Sequence, residues 1–133
     1  MPIYNSTSQL YDCLETLFDR IFKRNEYDLS ALERSGLVTR FVISEPAGEL
    51  IIDCSQRPVA THFGPTDVKP NLTITLSADT LHGIMLGELG ILKSLGARKL
   101  KAKGPIHKTK AFYGLFEQSQ KVYPQILREK GVQ

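Results

Sequence analysis

The spacing of apolar residues between Asn71 and Leu115 changes several times. Residues 72–77 alternate between apolar and polar, which predicts a strand with one buried face. Ser77 is placed to cap a helix, and apolar residues then recur at helical spacing until Gly87 and Gly90 interrupt them. A second short apolar helix is predicted before alternation returns.

A lysine-striped strand follows this helix pair. In residues 98–103, Leu100 and Ala102 are predicted to face the core, and the lysines between and beside them to face water. Gly104 ends the strand and Pro105 leads to an amphipathic helix. The apolar side of that helix contains Phe112, Leu115 and Phe116.

Two helical segments are predicted near the N-terminus. The spacing of Ser6 and Gln9 predicts a capping box at the start of the first helix. Its apolar stripe comprises Leu10, Leu14, Leu17, Phe18 and Ile21. A short helical turn then starts at Asp28 or Ser30 and ends at Gly36, which can supply a positive φ.

Three more strands complete a predicted sheet. Alternation over residues 37–43 and 50–54, on either side of a turn, predicts a hairpin, and residues 58–63 predict a third strand. The polar outer positions favour an antiparallel sheet with one face in water. A last helix is predicted from Val122, Tyr123, Ile126 and Leu127, with Pro124 at its first turn or at a kink.

The run NLTITLSADTLHGIMLGELGILKSLGARKLKAKG, residues 71–104, resembles the sterol carrier protein 2 family. Members of that family show a strand, a helix start with serine and an acid, a helix closing on glycine, and a basic strand ending in glycine. The likeness extends more loosely over residues 37–115. Ala97 stands where the family often has glycine.

The resemblance implies one α+β domain over residues 1–133, with helices covering one face of a five-stranded, mainly antiparallel sheet. It also implies an apolar tunnel between the layers and non-enzymatic binding of a fatty acid, fatty acyl-CoA, phospholipid, sterol or isoprenoid quinone. No cofactor is implied. The predicted cavity lining is Leu14, Phe18, Phe41, Ile43, Ile74, Leu76, Leu81, Ile84, Met85, Leu92, Phe112, Leu115 and Phe116. A stripe that fills a core has the same pattern, so both interpretations stay open.

Basic residues are concentrated in the stretch between Glu88 and Glu117, which contains no acid. A patch that docks on anionic membranes is one interpretation, and a solvated face that protects a sheet edge is the other. The patch has no interleaved aromatic residues, so nucleic acid is not an expected partner. The residues of this patch are Lys93, Lys99, Lys101, Lys103, Lys108 and Lys110.

The sequence gives little indication of a catalytic or metal-binding site. A nucleophile beside a base would be needed, for instance Cys13 or Cys54 with His62 or His82, held by a carboxylate such as Asp79, and no catalytic motif surrounds these residues. Buried, reduced thiols are the expected state of both cysteines. The histidines lack the close spacing of helix-borne zinc ligands, so no metal is assigned.

Composition matches an ordinary globular domain. The 133 residues are 41% hydrophobic and 23% charged, and no apolar run approaches the about 18 residues that cross a bilayer. No export signal is recognised, and a cytoplasmic protein is expected. Two rival hypotheses stay open: an accessory module for a lipid- or quinone-pathway enzyme with a collapsed cavity, and a small cone-shaped α+β enzyme. A homodimer is also left open.

Overall fold

The computed structural model describes residues 3–23 and 29–132, in which helices cover one face of a five-stranded sheet. In chain order the elements are α1 (Thr7–Lys23), α2 (Ser30–Ser35), β1 (Val38–Ser44), β2 (Gly48–Asp53), β3 (Ala60–Phe63), β4 (Leu72–Ser77), α3 (Ala78–Met85), α4 (Ile91–Gly96), β5 (Leu100–Lys103), a 3₁₀ helix (Ile106–Phe112) and α5 (Tyr113–Glu129). The predicted α+β class is confirmed.

The strands lie in the order β3-β2-β1-β4-β5. Three neighbouring pairs are antiparallel, whereas the central pair β1 and β4 is parallel. Phe41 lies opposite Leu50 and Ile74, and Ile74 lies opposite Ala102, so these side chains share the face that meets the helices. Ala102 and Leu100 point inward on β5, as their alternation predicts.

The structure confirms most of the helix starts that were predicted from the sequence. The Ser6 hydroxyl accepts from the Gln9 amide at 3.1 Å, and the Gln9 side chain accepts from the Asn5 amide at 2.7 Å. Ser77 caps α3 by accepting from the Thr80 amide at 3.0 Å. The short turn before β1 begins at Ser30. Asp28, the other predicted start, lies outside the described residues.

Gly36 and Gly104 both adopt a positive φ, which glycine accepts at the least steric cost. Gly36 ends α2 with φ +64°. Gly104 has φ +119°, and a Cβ there would lie 2.4 Å from the carbonyl oxygen of Asn71. Because β4 begins directly after Asn71, only glycine lets the chain leave β5 so close to the start of its neighbour.

The C-terminal region differs from the prediction of two helices. The chain after Pro105 first forms the 3₁₀ helix, and α5 then continues without a break through Pro124. Proline removes one backbone hydrogen bond. The residues on both sides of it, Val122, Tyr123, Ile126 and Leu127, are all buried. Their common packing against the core keeps the two halves on one helix, so the predicted first-turn position of Pro124 is wrong and this proline lies inside α5.

Helix α1 packs along α5. Arg20 makes two hydrogen bonds to Glu129, at 2.5 and 3.2 Å, and Lys130 lies 3.1 Å from Asp12. These pairs are partly exposed, so the buried apolar stripe of α1 is the stronger source of stability.

Candidate functional site

A groove of about 610 Å³ opens on the helical side, between the connection from α3 to α4, α4 itself and the first half of α5. Its volume falls within the range of about 300–1,000 Å³ that small-molecule sites occupy. Its lining is formed by Ile84, Gly87, Glu88, Leu89, Gly90, Ile91, Leu92, Lys93, Tyr113, Phe116, Glu117 and Gln120.

The groove has a buried floor and an exposed apolar mouth. Ile84 and Phe116, which are 3% and 6% exposed, form the floor and belong to the core. Leu92 and Tyr113 are 42% and 46% exposed and flank the opening. Among the described residues, Ile106 at 42% is the third large hydrophobic side chain that is left exposed. Two of these three exposed side chains therefore belong to one concave site.

The wall made by the connection from α3 to α4 is held by backbone hydrogen bonds. The amides of Glu88 and Leu89 both donate to the carbonyl of Gly83, at 2.9 and 3.1 Å. Leu89 folds back over α3, and a Cβ on Gly83 would lie 2.7 Å from its Cδ1. Gly87, with φ +79°, lets the chain turn beside Gln120 on α5.

A smaller side cavity of about 160 Å³ adjoins the groove. The two share Glu88, Leu89, Gly90 and Lys93 as lining residues. The side cavity adds Ser94, Ala97 and Lys99. The amide of Lys99 donates to the carbonyl of Ser94 at 2.8 Å, which brings the start of the basic strand back against α4.

The predicted lining residues divide into two sets. Ile84, Leu92 and Phe116 line the groove. The other ten, each 4% exposed or less, lie in the packed core; they are Leu14, Phe18, Phe41, Ile43, Ile74, Leu76, Leu81, Met85, Phe112 and Leu115. Both the groove and the side cavity are lined by helices and their connections, without a strand residue.

Several lining residues were absent from the sequence prediction. Leu89 and Ile91 flank Gly90, which interrupts the helical pattern. Apolar residues at such an interruption indicate a segment that lines a groove outside the core. Tyr113 precedes Phe116 by three residues, so helical spacing placed it on the same side. Gln120 continues that side by one more turn.

The six predicted basic residues are all exposed and are distributed over α4, the connection after it, β5 and the 3₁₀ helix. Lys93 lines both cavities and Lys99 lines the side cavity. Lys101 and Lys103 lie opposite Thr75 and Thr73 and point away from the helical layer. The remaining two, Lys108 and Lys110, lie on the 3₁₀ helix. Within residues 3–23 and 29–132, no carboxylate lies within 4.0 Å of any of the six.

A chain of polar groups links α3, α5 and the N-terminal segment. The Tyr123 hydroxyl lies 2.7 Å from Nδ1 of His82 and also hydrogen-bonds to the Tyr4 hydroxyl. Burial raises the pKa of both phenols and lowers the pKa of His82. At neutral pH all three groups are therefore uncharged, and their hydrogen bonds join α3 to α5 and to the N-terminal segment.

The two cysteines are buried thiols. Burial raises the pKa of Cys54 to about 12 and also raises the pKa of Cys13, so neither carries a thiolate at neutral pH. His82, the base proposed for one of them, uses Nδ1 to bond Tyr123. In the part of the chain that is described, no group of three His, Cys, Asp or Glu side chains could hold a metal ion.

A sheet covered on one face by helices, with a groove among those helices, defines a small α+β domain with a candidate ligand site. The model of the SCP-2 sterol transfer family matches residues 18–117. The chain belongs to this family, as its resemblance to sterol carrier protein 2 predicted. Among curated proteins, a search finds no match.

Solved structures show the same fold. The sterol carrier protein domain 2 of Helicoverpa armigera shares 17% identity over 85% of this chain and 89% of its own, with a TM-score of 0.66. The apo sterol carrier protein 2 of Yarrowia lipolytica shares 16% identity over 88% and 95%, with a TM-score of 0.65. A UbiJ-SCP2 ubiquinone synthesis protein shares 19% identity over 86% and 93%, with a TM-score of 0.62.

A membrane-spanning segment was not expected from the sequence. In the described ranges, every helix is too short or too polar to cross a bilayer.

Proposed function

We propose that this protein binds a lipid in the groove and carries it without chemical change. The observation that supports this most is the exposed apolar mouth: Leu92 and Tyr113 remain in water above a floor made by Ile84 and Phe116. The free energy falls when a hydrocarbon chain covers exposed apolar side chains, so a groove with an apolar floor and mouth favours an apolar occupant.

The physics of such binding is burial of methylene groups. At about 0.8 kcal/mol per buried CH₂, a chain of sixteen carbons gains on the order of 12 kcal/mol before the costs of ordering and association. Micromolar binding is reachable from this term alone. Selectivity among tails is then loose, because one methylene changes affinity by only a small factor.

The tunnel between the sheet and the helices is part of this proposal. Ile84 and Phe116 belong to both the groove and the core, so they separate the groove from the ten predicted lining residues behind them. A long acyl chain would reach that interior if these two side chains rotated aside. Each core residue that came to line the tunnel would then contact lipid in place of protein. Its apolar surface would stay out of water, so little burial free energy would be lost.

Transfer requires contact with a membrane, and Lys93 supports such contact. Lys93 lines the groove beside the exposed Leu92. The lysine can attract an anionic membrane surface, and the adjacent leucine can insert into that surface. Docking by this edge would place the groove mouth against the lipids.

Leu92 and Ile106 provide a matched test of the proposed site. Both are 42% exposed, but only Leu92 lines the groove. Leu92→Asp should weaken binding of the fluorescent fatty acid cis-parinaric acid at least about ten-fold, because it places a charge against the hydrocarbon chain. Ile106→Asp should bind it as the unchanged protein does. Far-UV circular dichroism checks that both variants fold.

Two results would contradict the proposal. Equal binding of cis-parinaric acid by the two aspartate variants would show that the groove is not the binding site. Failure of the unchanged protein to bind cis-parinaric acid, together with no lipid in native mass spectra of freshly purified protein, would remove lipid binding itself.

An accessory module is the second candidate. The likeness to a ubiquinone synthesis protein and the close packing between the layers favour it. In this alternative the exposed Leu92 and Tyr113 would contact a second protein or a second copy of this chain. A stable dimer without lipid in native mass spectra supports the module and contradicts the carrier.

A further inference from the structure

We infer that the side cavity binds the anionic head of the lipid, a carboxylate or a phosphate, while the groove holds its hydrocarbon tail. This inference rests on the proposed function. It assigns a polar end to the site and selects fatty acids and phosphate-bearing lipids over sterols and quinones, whose head groups are uncharged.

The first observation is continuity between the two cavities. Four residues, including Gly90 and Lys93, line both, so a ligand whose tail lies along Leu92 can place its head in the side cavity. The side cavity holds about 160 Å³. That is about five times the roughly 30 Å³ that one water takes in the liquid, which is enough for a carboxylate or phosphate group.

The second observation is the charge of the lining. The lining of the side cavity contains two lysines, Lys93 and Lys99, and one acid, Glu88. The lining therefore carries one positive charge in excess. Neither lysine lies within 4.0 Å of a described carboxylate, so their charges are not neutralised by a close partner. Along the groove, Glu117 and Glu88 outnumber Lys93. An anionic head is therefore repelled from the α5 end and attracted to the α4 end.

The third observation is an unpaired polar group in the side cavity. Ser94 is 2% exposed, and its hydroxyl has no hydrogen-bond partner among the described residues. Buried hydroxyls are nearly always paired, because an unpaired one loses its bonds to water without replacement. A carboxylate or phosphate oxygen in the side cavity would provide an acceptor for it.

The position of Lys99 follows from the fold. The hydrogen bond from the Lys99 amide to the Ser94 carbonyl, 2.8 Å long, closes the end of α4 and holds the lysine beside the serine. Arg98, with φ +62°, makes the reversal that this requires. The geometry therefore brings one positive charge and one free donor to the same small cavity.

The test compares cis-parinaric acid with its methyl ester, which has the same tail and no charge. The unchanged protein should bind the acid about ten-fold more tightly than the ester, as charge-assisted hydrogen bonds imply. Lys99→Gln should remove most of that preference, and Ser94→Ala should reduce it. Lys101→Gln is the matched control, since Lys101 is exposed on β5 but lines neither cavity, and it should keep the full preference.

The outcomes separate this inference from the proposed function. Equal binding of acid and ester by the unchanged protein overturns the headgroup site and leaves lipid binding intact. An equal loss in Lys99→Gln and Lys101→Gln also overturns it, because general surface charge would then explain the preference. Binding of neither probe overturns both. If inorganic phosphate alone shifts the amide resonances of Ser94 and Lys99 as strongly as the acid does, the cavity binds free anions and the lipid assignment is overturned.

Discussion

The Tyr123 hydroxyl lies 2.7 Å from Nδ1 of His82, and this hydrogen bond joins α5 to α3. Tyr123 also bonds to the hydroxyl of Tyr4. When His82 is neutral, Tyr4 can donate to Tyr123 and Tyr123 can donate to Nδ1, so each hydroxyl hydrogen is used. A protonated imidazole must donate instead. The chain then reverses, and the Tyr4 hydrogen loses its acceptor.

The first prediction concerns stability at mildly acidic pH. Burial lowers the pKa of His82 below the usual value of about 6.5, although Glu88 and Asp79 oppose this shift. The unfolded chain therefore binds a proton at higher pH than the folded chain does. The contribution of neutral His82 to the free energy of unfolding should be complete above about pH 6.5. It should decrease as pH falls toward the lowered pKa. Urea unfolding between pH 8 and 5 measures this.

His82→Gln is the control for that pH dependence, because glutamine can accept from Tyr123 but does not titrate. Its stability should change less over the same range than that of the unchanged protein. An identical decrease in both proteins would assign the effect to other groups.

The second prediction concerns the wall of the groove at Gly87. Gly87→Ala places a Cβ where φ is +79° and within 2.6 Å of the Gln120 side chain. Because Gln120 is exposed and can move, the backbone conformation is the main cost, and about 1–2 kcal/mol of unfolding free energy should be lost. Gly87→Ala with Gln120→Ala should recover only a small part of the loss. Urea unfolding measures all the variants.

Gly96→Ala is the matched control for Gly87→Ala. It lies in α4 at an ordinary φ, and its Cβ would meet nothing within 4 Å. This substitution should be neutral or should stabilise by up to about 1 kcal/mol through helix propensity. A loss at Gly96 as large as that at Gly87 would contradict the role given to the left-handed conformation.

The third prediction concerns the thiols. Cys13 and Cys54 are buried and their pKa values are raised, that of Cys54 to about 12. Iodoacetamide should therefore label the native protein far more slowly at pH 8 than the same protein unfolded in urea. Mass spectrometry counts the adducts. Rapid labelling of one cysteine in the native state would reopen the possibility of a catalytic thiol.

The fourth prediction separates the lysines by their position in the fold. Lys93 lines the groove and Lys110 precedes Tyr113 at its mouth by three residues, whereas Lys101 and Lys103 point away from the helical layer. Docking by the groove mouth means that Lys93→Gln with Lys110→Gln should weaken binding to anionic vesicles by about 30-fold, at about 1 kcal/mol per lysine. A vesicle sedimentation assay at low ionic strength measures this.

The pair Lys101→Gln and Lys103→Gln is the control, and its vesicle binding should change much less. Equal losses in both double variants would mean that the protein has no preferred docking face. Binding that is insensitive to salt would contradict an electrostatic contribution altogether.

Much of the fold follows from local pattern. The alternation of Phe41, Ile74 and Leu100 predicted which face of each strand is buried, and Ser77 marked the start of α3. Such signals act over a few residues, where backbone geometry alone relates side chains to a face. The parallel pairing of β1 with β4 has no local signal, because it joins residues more than thirty positions apart.

The site shows the same division. Apolar stripes and a cluster of lysines were evident in the chain itself, since hydrophobic period and charge are properties of neighbouring residues. Whether a stripe fills the core or lines a groove depends on what packs against it from distant segments: Leu81 meets the core and is 2% exposed, whereas Leu92 lines an opening and is 42% exposed. Likewise, only the folded chain separates Lys93 at the groove from Lys101 on the other face of the sheet, because β5 turns alternate side chains to opposite faces.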